Sequence, residues 1–136
     1  MKKAIFFTSF LLMLGFNVCA QHQTVSVIWK IFCSGSLDWE KFETGYPKQD
    51  FIDVKQEDNK FYWGQDNVYH VYNKQEKHEG FTTTITYDFI DKYKQRGSII
   101  YTHNRAADWA TKYMFFIKYE GMKEGKYYCS NEPNKK

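Results

Sequence analysis

Apolar and polar side chains alternate with a period of two along most of this chain. In residues 25–34 the alternate positions hold valine, tryptophan, isoleucine and finally Cys33, which is the pattern of a strand with one face turned inward. The longest segment of this kind is 81–90, rich in threonine, isoleucine, tyrosine and phenylalanine. Shorter segments of the same character predict further strands at 51–55, 60–63, 68–72, 98–102, 113–119 and 126–129.

The segments between these strands carry the signals of turns and loops. Residues 34–49 mix glycine, serine, proline and charge with aromatics, which predicts a long loop containing one helical turn over 37–42. The polar run 73–80 predicts a turn, with Gly80 free to adopt a left-handed backbone. Only 105–112, with three alanines and Asn104 as N-cap, favours a helix.

About eight short strands joined by hairpin-length turns predict an all-β fold with at most one short helix. Closing such a meander into a small antiparallel β-barrel or a two-layer sandwich removes or covers its edge strands. We expect one domain over 21–130, followed by a polar tail at 131–136. The predicted core contains strand residues only: Trp29, Phe61, Tyr87, Phe89, Phe115 and Ile117.

The first twenty residues have the organisation of a secretory signal peptide. Lys2 and Lys3 precede an uncharged apolar run, and small residues end the segment at Ala20. The apolar run is too short to span a bilayer, so we expect no membrane span. The sequence thus predicts an exported protein, periplasmic or secreted, that begins at Gln21. A lipid anchor on Cys19 is the alternative to this cleavage.

If the protein is exported as predicted, its remaining cysteines are expected to form a disulfide. Cleavage after Ala20 leaves only Cys33 and Cys129, one near each end of the mature chain. In an oxidising compartment such a pair favours a disulfide. The bond would join the first strand of the domain to the last, which are neighbours in a closed barrel.

Charge and residue spacing exclude several partners and cofactors. Without Lys2 and Lys3 the chain has 17 basic and 16 acidic residues, a net charge of +1, which gives no reason to expect a nucleic-acid partner. The four histidines, at 22, 70, 78 and 103, lack the spacing of a metal site, so we expect neither a metal nor a cofactor.

Catalytic motifs are also lacking, so we expect no catalytic residues and no enzyme. Asp88 and Asp91 are spaced to face opposite sides of a strand, unlike the carboxylate pair of a glycosidase. The segment containing His103 and Asp108 is the one polar cluster that resembles a catalytic loop. A hydrolase using these residues therefore stays open as an alternative.

Aromatic side chains are the strongest remaining signal, at 23 of the 116 mature residues. Trp39, Tyr46 and Trp109 fall in predicted loops, where aromatics either hold the loop against the barrel or contact a partner. We take these three as candidate binding residues. The expected function is that of an exported binding protein that recognises or inhibits another protein, such as a hydrolase or toxin. The alternative is a lipocalin-like carrier of a small apolar or sugar ligand.

Overall fold

A computed structural model of the chain describes residues 25–135. The predicted signal peptide, its cleavage site after Ala20, Cys19 and His22 lie outside these residues. The described part contains ten strands and one helical turn, α1 (Trp109–Lys112). The strands are β1 (Val27–Asp38), β2 (Glu43–Thr44), β3 (Lys48–Glu57), β4 (Lys60–Trp63), β5 (Asn67–Glu79), β6 (Thr82–Asp91), β7 (Arg96–Asn104), β8 (Tyr113–Tyr119), β9 (Glu124–Ser130) and β10 (Asn134–Lys135).

Eight antiparallel strands close into a barrel, as the alternation predicted. The hydrogen-bonded order is β1-β3-β4-β5-β6-β7-β8-β9, and the pairing of β9 with β1 completes the ring. β2 and β10 are short additions that pair with β1. The all-β prediction is confirmed, and of the two architectures that the sequence left open the chain adopts the barrel.

A bulge in β1 reverses which side of the strand faces the barrel interior. The register shifts between Ile31 and Cys33 against both neighbouring strands. Ile31 belongs to the interior core, whereas Cys33 and Leu37 pack in a separate cluster on the outer face. The sequence pattern had placed Cys33 on the inward side, and this was wrong because the extra residue of a bulge shifts the alternation by one position.

The predicted loop at 34–49 is largely strand. β1 continues to Asp38 because it is paired on both sides, with β9 over its whole second half and with β2 at its end. The predicted helical turn over 37–42 is wrong, since residues 39–42 form a tight turn that ends with Phe42 at φ 55°. Backbone pairing here overrides a local composition typical of loops.

The predicted turn at 73–80 is wrong except at its end. β5 runs on to Glu79, and its residues from Gln75 pair with Thr82–Thr86 of β6. Every residue from 72 to 80 is exposed, so no apolar alternation marks this part of the strand in the sequence. The reversal falls at Gly80, whose φ of 57° confirms the predicted left-handed backbone.

Of the helix predicted over 105–112, only the single turn α1 is helical in the structure. Asn104 does not cap it; the Asn104 side chain accepts a hydrogen bond from the Ala106 amide (3.0 Å) and forms a turn before the helix. Asp108 occupies the N-cap position without a side-chain cap bond. None of the helical structure in residues 25–135 is long and apolar enough to cross a membrane.

Aromatic rings fill the barrel and confirm the predicted core. All six side chains expected there are buried. Trp29 meets Phe115 edge to face, with ring centroids 5.2 Å apart, and Phe61 meets Tyr87 in the same way at 5.3 Å. Such edge-to-face pairs add about 0.5–1.5 kcal/mol each to the free energy of burial, so contacts between aromatic rings stabilise the core.

A second apolar cluster covers the outer face where the barrel closes. The predicted disulfide between Cys33 and Cys129 lies in this cluster, and the two residues are directly opposite each other, with Cα atoms 5.1 Å apart. Tyr127 lies across Gly35, where a Cβ atom would collide with its ring, and donates a hydrogen bond to the Gly45 carbonyl (2.9 Å). The closing seam is therefore held covalently and by packing.

Replacing both cysteines by alanine should destabilise the protein substantially. The bond closes a loop with a sequence separation of 96, and a loop of that length gives about 2–4 kcal/mol in practice. We expect urea unfolding of Cys33→Ala/Cys129→Ala to show that loss, with the barrel signal in circular dichroism retained. Thiol titration of the unreduced, denatured mature chain should find no free thiol; two free thiols would contradict the pairing.

Candidate functional site

One end of the barrel is open and contains a large cavity. Four connections meet there, at residues 39–47, 64–66, 92–95 and 120–123, because alternate turns of an antiparallel barrel lie at the same end. The cavity at this end has a volume of about 950 Å³. We call this region the open end. It is the candidate site because cavities of roughly 300–1,000 Å³ are typical of small-molecule sites.

Aromatic side chains form the floor of the cavity. Trp63, Tyr69 and Tyr128 are nearly fully buried and line it from below, with Ile117 beside them. Trp63 contacts Tyr128 edge to face at 4.8 Å between ring centroids. Burial raises the pKa of Tyr128 far above its usual value, so its hydroxyl stays protonated at neutral pH. Within residues 25–135 that hydroxyl makes no hydrogen bond, and it is available to a ligand.

A buried carboxylate fixes one wall of the cavity. Asp91 is 6% exposed and accepts hydrogen bonds from the backbone amides of Tyr93 and Gln95 and from the Tyr119 hydroxyl, each at 2.9 Å. Burial, then the hydrogen bonds and charges of Tyr69 and Asp91, raise the pKa of Tyr119 far above its usual value. The carboxylate is thus satisfied by the protein, and its role is to hold the aromatic wall and the 92–95 turn in place.

A smaller cavity of about 420 Å³ lies beside the first and shares part of its wall. The bulge in β1 directs Ser34 to this side, where its hydroxyl donates to Asp50 at 2.9 Å. Tyr46 and Lys48 form the outer border of the smaller cavity. As at Asp91, the acidic group is already hydrogen-bonded by the protein.

The rim of the larger cavity carries side chains of both charges. Lys94, Arg96 and Lys126 lie there with Glu120 and Glu124. None of these five takes part in an ion pair or a side-chain hydrogen bond with any residue of the described range 25–135. Their hydrogen-bonding groups therefore face solvent at the cavity entrance, where both donors and acceptors are open to a ligand.

The structure separates the three loop aromatics that the sequence singled out. Trp39 is half-buried on the outer face, edge to face with Phe116 at 6.0 Å. Tyr46 is 99% exposed at the border of the smaller cavity. Trp109 is 71% exposed at the other end of the barrel, where it stacks on Phe32 at 4.8 Å. Trp109 thus lies apart from the other two, which both belong to the 39–47 connection at the open end, and of those two only Tyr46 lines a cavity.

The residues of the hydrolase alternative lie at the end of the barrel opposite the open end. His103 stacks on Tyr113, with ring centroids 4.4 Å apart, and no hydrogen bond joins it to Asp108 in the described structure. Partial burial, and then the positive charges of Arg105 and Lys112, lower the pKa of His103. Across residues 25–135, no three histidine, cysteine or acidic side chains converge as metal ligands.

Sequence reasoning missed most of the residues that form the open end. Tyr69, Tyr119 and Tyr128 look like ordinary core positions, since they alternate with outward residues on three different strands. Asp91 offered one signal: it continues the inward set of β6 after Tyr87 and Phe89, which places a carboxylate inside the barrel. That a cavity opens beside these residues depends on how four distant connections meet.

No protein-family model matches this chain, and neither a curated protein nor a solved structure matches it. The function of the open end therefore has to be argued from its own residues.

Tyr119→Phe tests whether the hydrogen bond to Asp91 holds the cavity wall. A bond to a charged acceptor contributes about 1.5–3 kcal/mol, so we expect a loss of that order in the free energy of unfolding at pH 7. Because the folded protein raises the pKa of Tyr119 above its ordinary value of 10.0, this contribution to stability is complete below about pH 10 and is lost as the pH rises further.

Urea unfolding at several pH values measures both effects. The parent chain should lose stability above pH 10 more steeply than Tyr119→Phe, which has one fewer shifted tyrosine. Tyr46→Phe is the matched control, since the Tyr46 side chain is almost fully exposed and should not affect stability at pH 7. Equal stability of Tyr119→Phe and the parent at pH 7 would show that the bond contributes nothing.

Proposed function

We propose that this protein is a non-enzymatic binding protein that holds a small molecule at the open end of its barrel. The observation that carries the proposal is the cavity of about 950 Å³, with aromatic residues below and open polar groups around its entrance. A concave site with an apolar floor and a few polar groups is the usual form of a ligand pocket. Of the functions that the sequence left open, the carrier fits this geometry best.

The walls of the cavity are organised before any ligand arrives. Asp91 and Asp50 have protein donors, and the floor rings are locked by edge-to-face contacts. A site that is already rigid loses little conformational entropy on binding, which leaves more of the contact energy as affinity. The disulfide at the closing seam adds to this rigidity and is compatible with an exported protein.

Small cyclic probes should bind at the open end and nowhere else. We expect phenol, indole and cyclohexanol, added to ¹⁵N-labelled mature chain, to shift the amide signals of Tyr69, Tyr119 and Tyr128 in a saturable way. Asn67→Trp places a bulky ring where the two cavities share a wall and should abolish the shifts. Gln75→Trp adds the same ring on an exposed part of β5 and should leave them unchanged.

Probe shifts that persist in Asn67→Trp, or that spread over unrelated surfaces, would contradict binding in this cavity. Both variants need the circular dichroism spectrum of the parent chain for the comparison to hold.

A protein contact through the 39–47 connection is the second candidate. Phe42 is 77% exposed and Tyr46 is 99% exposed, which is unusual for large aromatics with no partner. Trp39 secures the same connection: its indole packs on Phe116 and over Gly125, and Lys118 lies 5.9 Å from its ring. Trp39 is thus the support of the surface, and Tyr46 is its candidate contact residue.

The two residues should respond differently to truncation. Trp39→Ala should lower the free energy of unfolding by about 2 kcal/mol, less than the ~3–5 kcal/mol of a fully buried tryptophan, because its side chain is only half-buried. Tyr46→Ala should leave stability unchanged and reduce capture of the native partner from a secreted-protein extract. Full capture by Tyr46→Ala would remove this residue from any protein contact.

A further inference from the structure

The two cavities at the open end lie side by side. They share five lining residues, which form the wall between them: Ser36, Trp63, Asn67, Lys126 and Tyr128. The larger cavity extends from this wall toward Arg96, and the smaller one extends toward Tyr46 and Lys48. We call the combined space the mouth groove. Its form suits an elongated ligand lying across the end of the barrel better than a compact ligand enclosed within it.

The lining of the mouth groove differs from that of an apolar carrier site. Its aliphatic side chains are few, namely Ile52, Ile117 and Met122. Its aromatic residues are tyrosines and one tryptophan, which present ring surface together with a polar group. A ligand made only of hydrocarbon would leave the amide and charged groups at the entrance without partners, which costs free energy on burial.

The charges of the groove are balanced and do not select an anion. Four basic side chains line the groove, with three acidic ones, and the buried carboxylate of Asp91 lies behind the 92–95 turn; the basic residues are Lys48, Lys94, Arg96 and Lys126, and the acidic ones are Asp50, Glu120 and Glu124. The donors and acceptors at the entrance are therefore present in similar number. A neutral molecule with many hydroxyl groups uses both kinds, since each hydroxyl donates one hydrogen bond and accepts others.

From these features, and resting on the proposed function, we infer that the mouth groove binds a neutral, linear oligosaccharide. One sugar unit would lie over the ring of Tyr128, within reach of its free hydroxyl. The neighbouring units would extend on one side toward Arg96 and Glu120 and on the other toward Tyr46 and Lys48. The apolar faces of the sugar rings meet the aromatic floor, and their hydroxyl groups meet the charged entrance.

Titration calorimetry of the mature chain with chito-, cello- and malto-oligosaccharides tests this inference. We expect at least one series to bind, with affinity rising from the disaccharide to the hexasaccharide as both cavities fill. Arg96→Ala should weaken every binding member of that series by about tenfold, the effect of losing one charged hydrogen bond. Lys48→Ala should weaken only the longer members, because Lys48 borders the smaller cavity alone.

Lys30→Ala is the matched control, because Lys30 is an exposed lysine of β1 that does not line the mouth groove. If no series binds while phenol and indole still shift the cavity amides, the ligand class is wrong and the proposed function stands. Loss of both signals would overturn the two together. Affinity that does not rise with the length of the oligosaccharide would show that the ligand does not occupy both cavities, which would overturn the inference. Tight binding of laurate, without binding of any oligosaccharide, would show that the ligand is an amphiphile and not a sugar.

Discussion

The simultaneous pairing of β1 with two neighbouring strands, β3 and β9, is the constraint on which the rest of this structure depends. β1 binds β3 along its first half and β9 along its second half, and only this double pairing turns an open meander into a closed ring. A closed barrel has no long edge strands, so its backbone hydrogen bonds are satisfied internally around the ring. The disulfide and the second apolar cluster lie where β1 meets β9, and they stabilise this pairing between strands that are far apart in the sequence.

The bulge within β1 couples this closure to the open end. By shifting the alternation after Ile31, it turns cysteine and leucine outward, where they cover the seam. The same shift directs Ser34 and Ser36 toward the cavities, where polar groups are compatible with water and with a ligand. One inserted residue thus gives the strand an apolar inner face near one end of the barrel and a polar inner face near the other.

The two halves of the interior have different consequences for stability and for binding. Trp29, Phe61 and Phe115 fill the deeper half, where Phe115 meets each of the other two rings edge to face. Toward the open end, the cavity is lined by Tyr69, Tyr119 and Tyr128, and the buried carboxylate of Asp91 accepts a hydrogen bond from the Tyr119 hydroxyl. Burying the Asp91 carboxylate costs free energy, which its three hydrogen bonds offset. The same bonds hold the wall of the cavity in place.

Period-two alternation by itself determined the fold class, the number of barrel strands and the six core residues, because a half-buried strand must alternate. A predicted signal peptide and two distant cysteines were enough to predict the disulfide. The sequence could not show that 34–38 and 73–79 are strands, since the bulge interrupts the alternation just before 34–38 and every residue of 73–79 is exposed. Nor could it show the mouth groove, whose residues come from seven strands and their connections and become neighbours only when β9 returns to β1 and closes the barrel.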